Sequence, residues 1–393
     1  MGKLIGTDPN QVPTNANLGT MSFQDYDVAA PMLIGGRRNI FINGGFNVAQ
    51  RGTSFTQSSG GYMLDRWTSY IGEGTWTVSQ DTDVPPGGYS KSMKWLVSTA
   101  DSTPTTATHV STRVEGQDLQ CAGWGTTEAK PLILSFWVKS NVATRHNVEM
   151  DLYHPDNSFE AAIPHYQIDK VDTWEFKTII IPPTSLGIRN TNETGLYINI
   201  FISCGGQFHA PGQNPDPSDY AGFWAPANTF SNGERGFGVS GIVKNQNSYI
   251  KWTGMQLEVD YSGTGKPTPF EHRSYGEEFA ACQRYYQRFD ADGQDFTNIG
   301  IAIATNSAWY VPIILPGGRM RADPALSYSA VGDFRITLQH SNSSAVTSMM
   351  IGYGNPLHPN LSVQSGSNSA SNGARMFGYA SSTTAWLAFD AEW

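Results

Sequence analysis

The chain has 393 residues, with 41 Gly, 22 Pro, 12% aromatic and only 15% charged side chains. That length suits two or three domains, and the aromatic and aliphatic content excludes a disordered polypeptide. A formal charge of −9 with no basic block excludes an electrostatic nucleic-acid surface, and no apolar run is long enough for a membrane-spanning helix.

Cys121, Cys204 and Cys282 are far apart and odd in number. This argues against a disulfide framework or a zinc site, and they read as buried free thiols. The first residues lack the basic and apolar regions of a signal peptide, so synthesis in a reducing cytoplasm is expected.

Residues 1–36 carry turn and extended signals without a periodic core pattern, as in Gly6-Thr-Asp-Pro-Asn-Gln-Val-Pro. Such a segment buries too little apolar area to fold alone, and Leu4, Val12, Leu18, Met21, Phe23 and Tyr26 read as anchors for docking on a partner.

Residues 37–273 form the first β block. Strands are expected at Trp76–Gln80, Ser92–Val97, His109–Val114, Leu132–Lys139, Asn147–Tyr153, Trp174–Ile181, Tyr197–Ser203 and Tyr249–Val259. In the Leu132 segment, Leu132, Leu134, Phe136 and Val138 alternate and point inward. Short strands without βα alternation predict an all-β fold, a jelly-roll β-sandwich.

Residues 274–289 predict the one long helix. Ser274 and Glu277 fit a capping box, and Glu277 and Glu278 suit the positive end of the helix dipole. Phe279, Cys282, Tyr286 and Phe289 recur at spacings of three and four, which places them on one face that packs at a junction. Residues 290–393 then predict a smaller C-terminal β-sandwich, with strands at Ile299–Ala304, Ala308–Ile314, Phe334–His340, Ala345–Tyr353 and Thr384–Ala391.

Several motifs occur in order. Asn39-Ile-Phe-Ile-Asn-Gly-Gly-Phe-Asn-Val-Ala-Gln-Arg-Gly, Tyr62-Met-Leu-Asp-Arg-Trp, Ser135-Phe-Trp-Val-Lys, Pro269-Phe-Glu-His-Arg and Cys282-Gln-Arg-Tyr-Tyr span residues 39–286. As a set they resemble bacteriophage tail and virion structural proteins, and residues 11–21 resemble the attachment end of tail fibres, notably of phages that infect cyanobacteria. The resemblance implies a virion location on a phage tail and an appendage that is often a homotrimer. Residues 1–36 would attach it to baseplate or tail proteins. It also implies a jelly roll similar to carbohydrate-binding modules, with a host-surface glycan as a partner. A glycan-binding receptor-recognition module, a polysaccharide depolymerase and a head-decorating fibre are the alternatives.

Aromatic faces stack on sugar C–H surfaces. Trp124 and Trp224 lie in glycine-rich loop contexts and are candidate ligand platforms. Trp309, Tyr310, Tyr353 and Tyr379 raise the same possibility in the last block. Trp137 and Trp252 lie within strand motifs and read as core. Arg51, Asp65 and Arg66 read as an ion-paired buried corner beside Trp67, because a buried charge needs a partner. Asp151, His154 and Asp156 are close in sequence but read as a turn, not a metal site, and Asp216 and Asp219 are equally weak. The chain has no nucleophile elbow, zinc-protease helix or phosphate loop, so neither an enzyme nor a cofactor is expected.

Overall fold

A computed structural model describes residues 38–208, 223–226, 229–291, 297–304, 308–339, 342–353, 355–365, 375–378 and 385–393. The arm at residues 1–36, Asp216, Asp219 and Tyr379 lie outside the described residues.

Alternation of apolar and polar residues builds two antiparallel sheets packed face to face. One sheet runs, in spatial order, Ser54–Gln57, Thr75–Asp81, Ser92–Thr99, Tyr249–Val259, Leu132–Ser140 and Glu175–Ile181. The other runs Ala225–Pro226, Phe159–Ala162, Arg145–Tyr153, Thr194–Cys204, Ala107–Glu115, Thr68–Ile71 and Gly61–Tyr62, with His165–Gln167 also paired to Arg145–Tyr153. The inward rows meet in one core. Leu132, Leu134, Phe136 and Val138 are fully buried, as their alternation predicts. Trp76 and Trp95 meet edge to face at 5.9 Å, and Trp252 donates its indole N–H to the Tyr166 hydroxyl. The strands expected from sequence in this block are all present, most of them longer by one to three residues.

The opening motif is not a strand. Residues 39–46 are an irregular segment pinned along strand Tyr249–Val259 by Ile40 N–H to Leu257 O and Met255 N–H to Gly44 O. Asn39 donates to Met255 O and accepts from Phe41 and Leu257, so one amide satisfies three backbone groups. Asn43, with φ of 59°, bonds both backbone groups of Val48 and the Asp65 carbonyl. A Cβ at Gly44 would stand 2.0 Å from the Met255 carbonyl oxygen, so only glycine lets this segment lie on the strand.

The helix is shorter than its sequence pattern predicts. It spans Tyr275–Gln283, with the Ser274–Glu277 capping box in place. Phe279 and Cys282 are on it, but Tyr286 and Phe289 belong to strand Tyr286–Asp290, which pairs with Trp386–Asp390. The physical reason is competition. Arg284 leaves the helix to fork onto Glu115, and the Tyr285 carbonyl accepts from Ala391 N–H, so the backbone joins a sheet instead of another helical turn. Tyr285, not Tyr286, takes the place in the apolar cluster with Ile42, Val48 and Cys282.

The C-terminal block has a three-stranded sheet of Tyr286–Asp290, Trp386–Asp390 and Ala325–Tyr328. A second sheet orders Thr297–Ile301, Arg375–Gly378, Phe334–Gln339, Asn342–Tyr353, Asn360–Ser365, Trp309–Pro312 and Ile303–Ala304. Trp309, Val311, Phe334, Leu361, Val363 and Phe389 fill the space between them. Ala325–Tyr328, Asn360–Ser365 and Arg375–Gly378 are strands that the sequence reading omits. Among the described residues, no helix is long and apolar enough to cross a membrane.

Gly44→Ala tests how firmly the opening segment is held. The substitution should cost at least about 2 kcal/mol through overpacking and lower the melting temperature by several degrees. An unchanged calorimetric transition would mean that residues 39–46 can lift off the strand without loss.

Candidate functional site

The outward face of the second jelly-roll sheet gathers polar and aromatic side chains that no local motif announces. Every second residue of three neighbouring strands points away from the core: His109, Ser111 and Arg113; Tyr197, Asn199 and Phe201; Glu149, Asp151 and Tyr153. The register sets Thr68, Ser111, Asn199 and Glu149 side by side, and Arg113, Tyr197 and Asp151 in the next row. Here a period of two makes a surface, because inward positions are already committed to the core.

One hydrogen-bonded string crosses this face. His109 Nδ1 meets Ser111 Oγ at 2.9 Å, Ser111 Oγ donates to Asn199 Oδ1 at 2.7 Å, and Asn199 Nδ2 donates to Glu149 Oε2 at 3.2 Å. Glu149 Oε1 then pairs with Arg235 Nε at 2.8 Å. Ser111, Asn199 and Glu149 are buried, so they form a fixed floor. Aromatic rings stand around it. Tyr70 is half exposed and stacks on His109, Arg113 lies over Tyr197, and Arg189 lies over Tyr153, which packs on Phe159. At one end Asn147 Nδ2 donates to the carbonyls of Arg235 and Phe237, which holds the segment after Ser231 against the sheet.

Burial governs the carboxyls here. Asp151 is pushed up to about 7 by burial and then by the Glu149 charge, with Arg235 opposing. Glu149 is also raised by burial, against Arg235 and the Asn199 amide. His109 is pulled down to about 4 by burial, so its ring is neutral and its tautomer serves the Ser111 hydroxyl.

The aromatic residues expected at a ligand surface lie elsewhere. Trp124 is buried; its indole N–H is taken by the Lys130 carbonyl and its ring meets Trp224 edge to face at 5.9 Å. Trp224 is partly buried against the core and donates to the Pro182 carbonyl. Trp124 therefore offers no free stacking face, and Trp224 turns part of its ring to Trp124. Trp309 is buried in the C-terminal core and bonds Ser365 Oγ, while Tyr310 is half-buried on the opposite side of the same strand. Tyr353 ends strand Asn342–Tyr353. Trp137 faces outward from the first sheet beside Phe176 and is not core, whereas Trp252 is. Cys204 and Cys282 are buried free thiols, but Cys121 is exposed. His154 turns to Glu160 and the Gly187 carbonyl and Asp156 caps Ser158, so the Asp151–His154–Asp156 group is dispersed. No cluster of metal ligands occurs among the described residues.

The junction residues converge with the shared motifs. Arg51 and Arg66 are ion-paired as expected, but with the last residues of the chain: Arg51 with Asp390 at 2.9 Å, and Arg66 with Glu392. Asp65 instead accepts from the Gln50 backbone and side chain. The Arg66 guanidinium lies 3.4 Å from the centre of the Tyr285 ring and 4.9 Å from that of Trp393. Arg284 and Tyr285 both bond Glu115, and Arg321 donates to the carbonyls of Ala391 and Asn192. Burial pushes the Glu392 carboxyl up, and Arg66 and Arg51 pull it back. A void of about 10 Å³, large enough for one water, lies between Phe41, Arg66, Glu115 and Tyr285. The arrangement is a joint between the two β blocks.

No family model and no curated protein matches this chain. Among solved structures it is similar to the enzymatically active domain of tailspike protein 4 of bacteriophage CBA120, at 14% identity and a TM-score of 0.28, over 56% of this chain and 21% of that one. The chain thus spans about a fifth of that protein. It is also similar to a family 22 xylan-binding domain from Paenibacillus barcinonensis, at 9% identity and 0.26, over 52% of this chain and 92% of that one. A family 11 carbohydrate-binding module from Clostridium thermocellum aligns at 18% identity and 0.22, over 52% and 96%. What the outward face can bind follows from its own residues.

Two measurements probe these assemblies. Glu392→Gln and Arg66→Met should each destabilise the protein by roughly 3 kcal/mol, because each leaves one buried charge unpaired. The double variant should lose much less than the sum in a denaturation cycle, and additive losses would mean the two side chains do not interact. For the face, the native Asp151 holds its proton more tightly than an unfolded aspartate with a value of 3.8. Between about pH 4 and about pH 7 the native state therefore binds more protons, and stability falls as pH rises. Glu73, raised to about 7 by burial and by Asp101, adds to this fall in any variant. Asp151→Asn should make the melting-temperature profile shallower over that window. A profile parallel to that of the parent protein would overturn the assignment.

Proposed function

We propose that the chain is a structural and adhesive component of a phage tail, a homotrimeric fibre held to the tail or baseplate through residues 1–36. On this reading its jelly roll recognises a host-surface glycan on the face that carries Glu149, Asn199 and Tyr197. The motif set across residues 39–286 supports the phage reading. The single observation that carries the glycan reading is the string His109–Ser111–Asn199–Glu149–Arg235, bordered by Tyr70, Tyr153 and Tyr197. A sugar presents hydroxyls that both donate and accept, and an apolar C–H face. A fixed row of alternating acceptors and donors beside aromatic rings matches both at small entropic cost.

Binding without cleavage is the form this reading takes. Glycosidases place their carboxyl groups on either side of the scissile bond. Glu149 and Asp151 rise from the same face of one strand, so both meet a ligand from below, and Glu149 is held by Asn199 and Arg235.

Glycan arrays followed by calorimetry on the best ligand test the assignment. Tyr70→Ala and Tyr197→Ala should each weaken binding by roughly tenfold, and Glu149→Gln by at least as much because Arg235 loses its partner. Undiminished affinity in all three variants would remove the site from this face. Steady release of reducing ends from the bound polysaccharide would refute a binding-only role. Gold labelling of intact virions places the protein on tail or head.

A further inference from the structure

The seven-stranded C-terminal sheet has a region of surface that is neither core nor charged. Its four adjacent strands Asn342–Tyr353, Asn360–Ser365, Trp309–Pro312 and Ile303–Ala304 contain no acidic, lysine, arginine or histidine residue. Their inward positions, Trp309, Val311, Leu361, Val363 and Met349, are buried. Their outward positions carry no charge: Ile303, Tyr310, Pro312 and Met350 lie beside the polar but uncharged Asn360, Ser362 and Gln364. The register runs Ile303 beside Tyr310, Tyr310 beside Ser362 and Ser362 beside Met350. Ile303 and Met350 are each 57% exposed, and the same side continues to Ile301 at 62% and Ile314 at 78%. A strand that needs only one buried face places polar residues on the other. Here four aliphatic side chains meet water on one side of one sheet, which marks a contact surface.

The solvent-facing sides of the jelly roll differ in carrying charge. The second sheet carries Glu149, Asp151 and Arg113. The first carries Lys94, Lys139 and Lys251 engaged with Asp81 and Asp83. Burying either would strand ionised groups or demand an oppositely charged partner. The C-terminal face makes no such demand, and its chemistry selects its occupant. Copies of a chain with a net charge of −9 repel at long range. A neutral face set against an identical neutral face meets no like-charge penalty on close approach. Apolar burial then favours contact, at about 25 cal/mol per Å².

We propose that this face, centred on Ile303, Tyr310 and Met350, is where copies of the chain associate with one another. The inference rests on the assembly reading above only in naming its surface, and it is independent of the glycan site. Repetition around a closed axis would also cover the short strand Ile303–Ala304, which is last in the order of its sheet.

Light scattering coupled to gel filtration, from about 1 to about 100 µM, reads the state of the full chain. The parent protein is expected to run as a multimer. Ile303→Lys and Met350→Lys should each shift it toward monomer, with association at least about tenfold weaker. Ile303→Ser combined with Met350→Gln should do the same, which covers a lysine variant that fails to fold; circular dichroism reports on that. Leu186→Lys, exposed on the jelly roll, should leave the multimer intact. A parent protein that stays monomeric throughout would overturn the proposal and assign the face to a different partner. A multimer that persists in folded Ile303 and Met350 variants would also overturn it. Glycan binding by the monomeric variants separates the two sites: retained binding is expected, and its loss in a folded monomer would mean that the surfaces are not independent.

Discussion

A single buried guanidinium organises the chain. Arg66 sits at a φ of 71°, a left-handed backbone conformation that costs a residue with a side chain about 1 kcal/mol or more. Burial of its charge costs several kcal/mol more without a partner. Both costs are offset at one place. Glu392 supplies the counter-charge, the Arg113 carbonyl accepts from the second nitrogen at 2.7 Å, and the rings of Tyr285 and Trp393 cover the plane. None of the residues 390–393 belongs to the jelly roll, so the jelly roll alone would leave Arg66 and Arg51 as buried cations without their carboxylates. The two β blocks are therefore not beads on a string. Each completes the polar bookkeeping of the other, and the helix Tyr275–Gln283 is short because the chain must turn at Arg284 to reach this joint.

The joint leaves the outward surfaces free for different work. Along the first sheet, lysines and aspartates neutralise each other; Asp83 is held down to about 2 by its bonds to Lys251, Lys139 and Trp174, in spite of the opposing effect of burial. Along the second sheet, acceptors and donors alternate and the carboxyls are raised. In the four C-terminal strands Asn342–Tyr353, Asn360–Ser365, Trp309–Pro312 and Ile303–Ala304, charged residues are absent. These are three distinct electrostatic surfaces on one scaffold, and each limits what can approach it.

Much of the fold was legible because alternation is a local signal. Leu132, Leu134, Phe136 and Val138 show their burial in eight letters, and the Ser274–Glu277 capping box shows where a helix starts. What ended that helix was not local. Tyr286 and Phe289 fit a helical face as well as a strand, and only pairing with Trp386–Asp390 decides between them. The site was hidden for the same reason. His109, Ser111 and Arg113 show the required spacing, as do Glu149, Asp151 and Tyr153, but spacing does not reveal register. Register alone puts Ser111 beside Asn199 and Asn199 beside Glu149. Trp124 and Trp224 misled in the opposite sense. A glycine-rich context suggests an exposed loop, yet Gly123 and Gly125 serve backbone turns with φ of 66° and 82° that fold Trp124 inward.

This contrast sets the meaning of the shared motifs. Gln50 and Arg51, Asp65 and Arg66, Arg273, and Arg284 to Tyr286 lie in the motifs that stand in order along residues 39–286. Each makes its bonds within the joint or beneath it: Gln50 to Asp65 and the Tyr286 carbonyl, Arg273 to Phe41 O, Glu271 and Glu278, Arg284 to Glu115. No motif residue contributes a side chain to the hydrogen-bonded string on the outer face. A joint built from buried charges tolerates little change, since removing any member strands another. The outward face depends less on any one side chain, because backbone register holds its floor. The motifs therefore carry information about how the two β blocks are fastened. The chemistry of the outward face has to be read from Glu149, Asn199, Tyr197 and their neighbours instead.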